Sequence, residues 1–227
     1  MRIRKLDEGY ETPPISLKRL FPSVSVFVKT LGLVYSKRSM LRKLGWVESV
    51  RTSKPCRKDG SPIPWMNYGV IRFLDERLDK DLSLFEYGSG NSTMFYASKV
   101  GYVKSIEMDE GWYTYVRDSM PANVDLVLFK ADGTASYREI SGQQDRKFDV
   151  VVVDAAERTE CLMHADKAVT DRGVIMLDDA TPDVHRPGME HLASKGFRRL
   201  DFEGLKPASI RAYRTSIFYR DGNCLGI

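Results

Sequence analysis

The sequence has few of the features that would place it outside the ordinary soluble globular proteins. Its 227 residues include only three cysteines, Cys56, Cys161 and Cys224. No two of them have the C-x-x-C spacing. Neither a disulfide framework nor a zinc site is therefore expected. No apolar run approaches the roughly 20 residues that span a bilayer, and the longest candidate, 24–34, is interrupted by Lys29. Acidic residues precede that run and no small-residue cleavage site follows it, so a cytoplasmic protein without a signal peptide is expected.

Charge is distributed unevenly along the chain. Residues 1–60 carry 14 Lys and Arg against 5 Asp and Glu (+9), whereas residues 61–227 carry 21 against 26 (−5). We therefore predict a basic helical extension, 1–60, and a main domain, 61–227. A basic arm can contact nucleic acid, an anionic membrane surface or an acidic substrate. The simpler alternative is a solvated helical extension packed on the core, because no Lys/Arg block is longer than a pair.

The main domain is organised around one stretch, 82–93, which reads LSLFEYGSGNST. An apolar run ends at Glu86, Gly88 and Gly90 follow, and a Ser-Thr pair opens a segment without Gly or Pro. This order is typical of a strand, a tight turn and a helix N-terminus, and glycine lets the backbone approach a ligand closely. A second predicted strand ends at Glu107, 21 residues after Glu86, where a ribose-binding acid is expected in a βαβ unit.

The acid-x-Gly-x-Gly strand end resembles the first motif of the class I S-adenosylmethionine-dependent methyltransferases. The resemblance covers roughly residues 62–220. It implies that Glu86 helps to hold the methionyl amino group, that Glu107 accepts from the ribose hydroxyls, and that Met108 and Asp132 contact adenine. An NAD-binding fold would have its third glycine where this chain has Thr93. The full cofactor set implied by the resemblance is Glu86, Tyr87, Gly88, Ser89, Gly90, Ser92, Thr93, Glu107, Met108, Asp132 and Asp154.

The elements after the glycine turn alternate regularly between strand and helix. This alternation predicts an α/β fold with a doubly wound, mostly parallel sheet. The tail differs, because 196–202 and 214–220 are strand-like with no obvious long helix between them. They are predicted to pair as an antiparallel hairpin at the sheet edge, as in the seven-stranded methyltransferase sheet. The expected fold is therefore a seven-stranded sheet with a C-terminal antiparallel hairpin and an N-terminal helical extension.

Three carboxylates follow two predicted strands: Asp154, and the pair Asp178 and Asp179. Such oxygen-rich clusters suit Mg²⁺, which can orient an acceptor hydroxyl and lower its pKa. The placement resembles the metal site of the catechol-type O-methyltransferases, but Asp179 replaces an expected Asn and Glu157 replaces an expected basic residue. In the alternative interpretation, Asp154 or Asp179 contacts cofactor or substrate directly, and His185, in a predicted loop, is a further candidate base.

The sequence thus predicts an O-methyltransferase for a small hydroxylated or sugar-like acceptor, with S-adenosylmethionine and, if the acidic set binds a metal, Mg²⁺. An NAD(P)-dependent oxidoreductase and a non-catalytic nucleotide-binding module with a basic interaction arm are the alternatives. No Tyr-x-x-x-Lys pair lies on the helix predicted after the fourth strand, which counts against a short-chain reductase. The acidic main domain counts against a nucleic-acid substrate. Contact of the basic segment with a membrane surface stays open, and the oligomeric state is not predicted.

Overall fold

The computed structural model of the chain describes residues 22–131 and 136–227. Seven strands form one sheet in the order β3-β2-β1-β4-β5-β7-β6. The strands are β1 (Ser83–Tyr87), β2 (Tyr102–Glu107), β3 (Val124–Leu128), β4 (Phe148–Val153), β5 (Val169–Leu177), β6 (Arg198–Leu205) and β7 (Ala212–Tyr219). The first five are parallel, whereas β7 runs antiparallel to both β5 and β6. The predicted fold class, including the C-terminal hairpin, is confirmed.

The described part of the chain also contains eight α-helices. They are α1 (Pro22–Tyr35), α2 (Met40–Leu44), α3 (Trp46–Thr52), α4 (Tyr68–Arg77), α5 (Asn91–Lys99), α6 (Glu110–Val116), α7 (Arg158–Ala165) and α8 (Pro182–Ser194). Short 3-10 turns lie at Arg117–Ser119 and Tyr137–Gln143. Within the ranges described, none of the helices has the length and apolar character needed to cross a bilayer.

The chain reverses its direction across the sheet between β1 and β4. From β1 it runs outward to β2 and β3, and it then returns to the other side of β1 to form β4 and β5. In open α/β sheets, ligands bind beside such a switch point, outside the carboxyl ends of the strands. The carboxyl ends of β1, β2 and β4, which carry Glu86, Glu107 and Asp154, are therefore the expected ligand edge.

The core occupies both faces of the sheet because successive strand residues point to opposite sides. In β4, Val150 and Val152 join one apolar cluster while Val151 and Val153 join the other, and all four are fully buried. The continuous valine run is therefore explained by burial on both faces, as is usual for parallel strands. This packing fixes the strand ends that carry the polar residues.

The contacts divide the chain after Lys43, and a compact unit begins at Leu44. Residues 44–60, which the charge distribution placed in the extension, therefore belong to that unit. Gly45, with a φ of 90°, separates helix α2 from helix α3. An added Cβ at Gly45 would lie 2.3 Å from the carbonyl oxygen of Cys56. Only glycine therefore lets the two backbone segments approach so closely.

Helix α8 is the largest departure from the sequence prediction, which placed a loop at 181–187. The prolines explain the error, since Pro182 begins the helix and Pro187 lies inside it. Proline is well tolerated in the first turn, but an internal proline usually marks a helix end. The prediction that His185 lies in a loop is therefore wrong: its side chain is buried on α8.

Candidate functional site

The turn after β1 depends on two glycines in unusual backbone conformations. Gly88 has a φ of 101° and Gly90 a φ of 145°, a region that side-chain-bearing residues rarely adopt. At Gly88, a Cβ would lie 2.9 Å from the carbonyl oxygen of Asp154. The turn is fastened to β2, because the Gly88 amide donates to Ile106 O and the Ser105 hydroxyl donates to Gly88 O. The backbone at Ser89 is thereby held at the ligand edge.

Glu86 is buried beneath this turn, with 1% of its surface exposed. The Thr93 hydroxyl donates to Glu86 Oε2 over 2.6 Å and accepts from the Gly90 amide over 2.9 Å. Burial raises the pKa of Glu86 to about 8, and the nearby Asp154 and Glu107 charges act in the same direction, while the Ser92 and Thr93 hydroxyls oppose it. No basic side chain is among the partners recorded for Glu86 in the described residues, so a cationic ligand would favour its charged form.

Glu107 ends β2 and is held by three donors. Its Oε2 accepts from the Ser89 hydroxyl over 2.6 Å, and its Oε1 accepts from the amides of Met108 and Asp109 over 2.8 and 2.9 Å. Two carboxylate oxygens offer about four acceptor positions, so capacity for a further donor remains. The side chain is thus fixed in direction and still able to accept a ligand hydroxyl.

A cavity of about 260 Å³ opens between these two carboxylates. The predicted residues that line it are Glu86, Tyr87, Gly88, Ser89, Ser92, Glu107, Met108 and Asp154. Gly90 lines the neighbouring cavity of about 620 Å³, and Thr93 is the buried partner of Glu86. Tyr137, Asp109, Ala155 and Ala156 also line the cavity and were not predicted. Asp132 lies outside the described residues.

Trp112 is a further residue that sequence reasoning missed. Its indole Nε1 donates to Ser89 O over 3.0 Å, and its ring lies against Gly90 at 3.5 Å from the position of an added Cβ. The Asp109 carboxylate caps α6 by accepting from the Trp112 amide over 2.7 Å. An Asp at the start of a predicted helix is a recognisable capping signal, but nothing in it indicates the contact between Trp112 and the glycine turn.

Asp154 lies where three cavities meet. It lines the 260 Å³ cavity, a neighbouring cavity of about 620 Å³ and a third of about 490 Å³. The 620 Å³ cavity is mainly apolar and includes Trp112, Tyr115 and Trp65 in its wall. The 490 Å³ cavity is more polar and is lined by Trp65, Asp154, Asp178, Asp179, Lys206, Pro207, Ala208, Ser209 and Tyr213. A group bound in any of the three can therefore approach this carboxylate.

The three carboxylates predicted to hold a metal are instead paired with basic side chains. Lys206 Nζ lies 2.7 Å from Asp178 and 2.5 Å from Asp179, and Arg158 lies 2.7 Å from Asp154. Within residues 22–131 and 136–227, no group of three His, Cys, Asp or Glu side chains is placed to hold a metal ion. The predicted Mg²⁺ site is therefore not supported by the described residues, because the Lys206 ammonium pairs with two of its three carboxylates.

The Asp178–Lys206 pair is almost completely buried. Asp178 Oδ1 also accepts from the Thr215 hydroxyl, which in turn accepts from the Asn67 amide. Burial opposes the charge on Lys206, but the two carboxylates outweigh it and raise the pKa of this ammonium. Burial also raises the pKa of Asp178, whereas the Lys206 ammonium acts to lower it. This network forms part of the wall of the 490 Å³ cavity, and Asp179 is its more exposed member.

His185 is placed differently from the other candidate bases. Its Nδ1 lies 2.9 Å from the Thr159 hydroxyl, between α7 and α8. It lines none of the three cavities. Burial lowers the pKa of His185, and the Arg158 charge acts in the same direction. The structure thus brings Asp154 and Asp179 to the ligand edge but leaves the imidazole in a packing role.

Comparisons with known proteins show which solved structures have a similar fold. No protein-family model matches the chain, and no curated protein matches its sequence. A solved structure, precorrin-6y C5,15-methyltransferase from Geobacter metallireducens, superposes with a TM-score of 0.50 at 16% identity, over 67% of this chain and 87% of that one. The chain shares the fold of this methyltransferase, a mostly parallel seven-stranded sheet with a C-terminal antiparallel hairpin. At this identity the likeness establishes the architecture and leaves the reaction to be argued from the site.

Other solved structures are similar to a lesser degree. Spermidine synthase from Thermotoga maritima has a TM-score of 0.46 at 13% identity, over 63% of this chain and 54% of that one. The tRNA (m1A58) methyltransferase TrmI from Aquifex aeolicus has a TM-score of 0.46 at 16% identity, over 65% of this chain and 66% of that one.

Proposed function

We propose that the chain is an S-adenosylmethionine-dependent methyltransferase that acts on a small hydroxylated acceptor. The observation that carries this proposal is the pair of carboxylates that flank the glycine turn. Glu107 and Glu86 both line the 260 Å³ cavity, and each is fixed by hydrogen bonds from the turn or from the helix after it.

The residues that line this cavity have the chemistry needed to bind S-adenosylmethionine. Glu107 keeps acceptor capacity for a ribose hydroxyl, and Met108, which is 45% exposed, offers an apolar surface for a flat ring. Glu86 has no cationic partner recorded in the described residues, and S-adenosylmethionine carries both an ammonium and a sulfonium. A cationic ligand beside Glu86 would offset the burial that raises its pKa.

The bound cofactor would supply an activated methyl group, so the chain itself must align an acceptor and remove its proton. We assign the acceptor to the 490 Å³ cavity, where Asp179, Lys206 and Ser209 offer polar groups beside the rings of Trp65 and Tyr213. Carboxylates and hydroxyls with adjacent aromatic faces suit a polyhydroxylated compound.

Asp154 is the proposed proton acceptor because it lines both this cavity and the cofactor cavity. Arg158 donates to Asp154 Oδ1 over 2.7 Å and lies 3.8 Å from Asp179, so it orients the first carboxylate and supports the second. His185 is not assigned as the base, because its ring faces Thr159 and it lines none of the three cavities.

Cofactor binding is tested by calorimetry on the full chain with S-adenosylmethionine, S-adenosylhomocysteine and NADPH. We expect the two adenosyl compounds to bind and Glu107→Ala to weaken them at least tenfold. Glu110→Ala, an exposed carboxylate on α6 that lines none of the three cavities, is the matched control. Binding of NADPH alone would favour the oxidoreductase, and an absence of adenosyl binding at millimolar concentration would end the proposal.

The acceptor is tested by methyl transfer from labelled cofactor to a panel of sugars and phenols, with and without Mg²⁺. Tyr213 lines only the 490 Å³ cavity of the three and Tyr115 only the 620 Å³ cavity, so Tyr213→Ala and Tyr115→Ala separate the two acceptor sites. We expect Tyr213→Ala to raise KM. If Tyr115→Ala alone does so, the acceptor lies in the apolar cavity. Cofactor binding without transfer to any acceptor would favour the non-catalytic binding module.

A further inference from the structure

Helix α1 presents an apolar surface to solvent. It contains no buried residue. Seven large apolar side chains on it are between 40% and 68% exposed: Val24, Val26, Phe27, Val28, Leu31, Leu33 and Tyr35. Contiguous exposed apolar surface of this kind marks an interaction site in soluble proteins.

The apolar residues are arranged mainly along one side of the helix. Val24, Phe27, Val28 and Leu31 follow the i, i+3, i+4, i+7 spacing that forms a single face. Ser25 and Lys29 fall on the other side, together with the exposed Val26 and Leu33. Helix α1 therefore has a broad apolar surface that is interrupted by one narrow polar strip.

The charges around α1 are all of one sign. Between Glu11 and Glu48 the sequence contains seven Lys or Arg and no Asp or Glu: Lys18, Arg19, Lys29, Lys37, Arg38, Arg42 and Lys43. Four of them follow the helix directly, in the turn at 36–39 and in α2. Arg42 Nε donates to Val34 O over 2.7 Å, which holds this basic segment against the C-terminal end of α1.

We propose that α1 and the basic segment 37–43 dock on an anionic phospholipid surface, with α1 lying in the plane of the interface. A helix of 14 residues is about 21 Å long, shorter than the roughly 30 Å of a hydrocarbon core. Apolar side chains on one face and flanking Lys and Arg are the features of helices that bind at this boundary.

Charge is the reason for choosing a lipid surface over a protein groove. A bilayer rich in acidic lipid offers negative charge as a continuous layer, and the 36 residues between Glu11 and Glu48 contain cations without a single anion to oppose it. The inference does not depend on the proposed function, since it uses none of the residues of the three cavities.

The test is co-sedimentation of the full chain with vesicles of phosphatidylcholine alone and with about one third phosphatidylserine. We expect the acidic vesicles to bind at least tenfold more tightly and the binding to weaken with salt. Each basic residue near an acidic surface contributes a factor of roughly five, so Lys37→Gln with Arg38→Gln should weaken binding about 25-fold. Lys37→Arg with native Arg38 should bind as the unaltered chain does.

The contribution of the apolar face is tested by Phe27→Glu against Ser25→Glu, two substitutions on one helix that add the same charge. Phe27 is 63% exposed, so its replacement should leave the fold intact. We expect Phe27→Glu to lose at least tenfold more vesicle binding than Ser25→Glu does. In Phe27→Trp, brominated lipids should quench the fluorescence of the new indole.

Four results would overturn the proposal. The first is no binding to either vesicle, and the second is equal binding to neutral and acidic vesicles. The third is RNA binding that the paired Gln substitutions at 37 and 38 abolish while vesicle binding is absent. The fourth is a dimer in light scattering that Phe27→Glu converts to a monomer without any vesicle binding, which would assign the face to a second copy of the chain.

Discussion

Replacing Glu86 by glutamine should make the ligand-free protein more stable at alkaline pH. The carboxylate is buried, and its pKa in the folded protein is about 8 against an ordinary value of 4.5. The folded chain therefore keeps a proton that the unfolded chain releases. The stability that this group contributes is fully present below about pH 4.5 and is lost as the pH rises through about 8. Glutamine has nearly the same shape and stays neutral throughout.

The size of the effect follows from the shift. Linkage between the two pKa values predicts that the unaltered chain loses about 4 kcal/mol of unfolding free energy, relative to Glu86→Gln, between about pH 4 and pH 8. The two proteins should be equally stable near pH 4. The Thr93 hydroxyl, which donates to Glu86 Oε2, can donate to the amide oxygen of glutamine instead.

The assay is urea unfolding at several pH values, extrapolated to water. Glu110→Gln, at an exposed position on α6, is the control and should follow the unaltered chain at every pH. If the unfolding free energies of Glu86→Gln and the unaltered chain change in parallel with pH, the reasoning is refuted. Folding would then not perturb the pKa of this carboxyl. Under the proposed function the same substitution weakens S-adenosylhomocysteine binding, so the gain in stability is accompanied by a loss of affinity.

Two further substitutions test the supports of the site. Lys206→Met leaves the buried Asp178 without its cation and should lower the unfolding free energy by about 3–5 kcal/mol in urea, whereas Arg186→Met, from an exposed pair, should change it by less than about 1 kcal/mol. Gly88→Ala should cost more thermal stability than Gly60→Ala, because both have positive φ but only at Gly88 does a Cβ meet backbone within 3 Å. If a variant and its control lose the same stability, the contact tested by that pair does not stabilise the fold as argued.

The strands that carry the cofactor cavity could be predicted because local signals determine them. An apolar run followed by an acid and two glycines leaves few conformations other than a strand end and a tight turn, and β1 and β2 end at Tyr87 and Glu107. The antiparallel hairpin could also be predicted, because the segments 196–202 and 214–220 are strand-like and no long helix is predicted between them.

The charge pairing at the ligand edge could not be predicted, because it depends on residues far apart in the sequence. Asp178 and Asp179 were interpreted as metal ligands because they follow a predicted strand and would form an oxygen-rich cluster with Asp154. Lys206, which follows β6, reaches them only because β7 pairs with β5 and brings the hairpin beside that strand. Trp112 was missed for a similar reason, since only the folded chain shows that its indole meets the glycine turn.

The buried contact between Asp178 and Lys206 has a consequence for the way the sequence can diverge. Neither position can change its charge alone without leaving an ion stranded in the interior. In homologous chains with this sheet order, an uncharged residue at 206 should therefore accompany an uncharged residue at 178. A chain that keeps the acid at 178 but has no cation at 206 would instead need another cation to neutralise that buried charge.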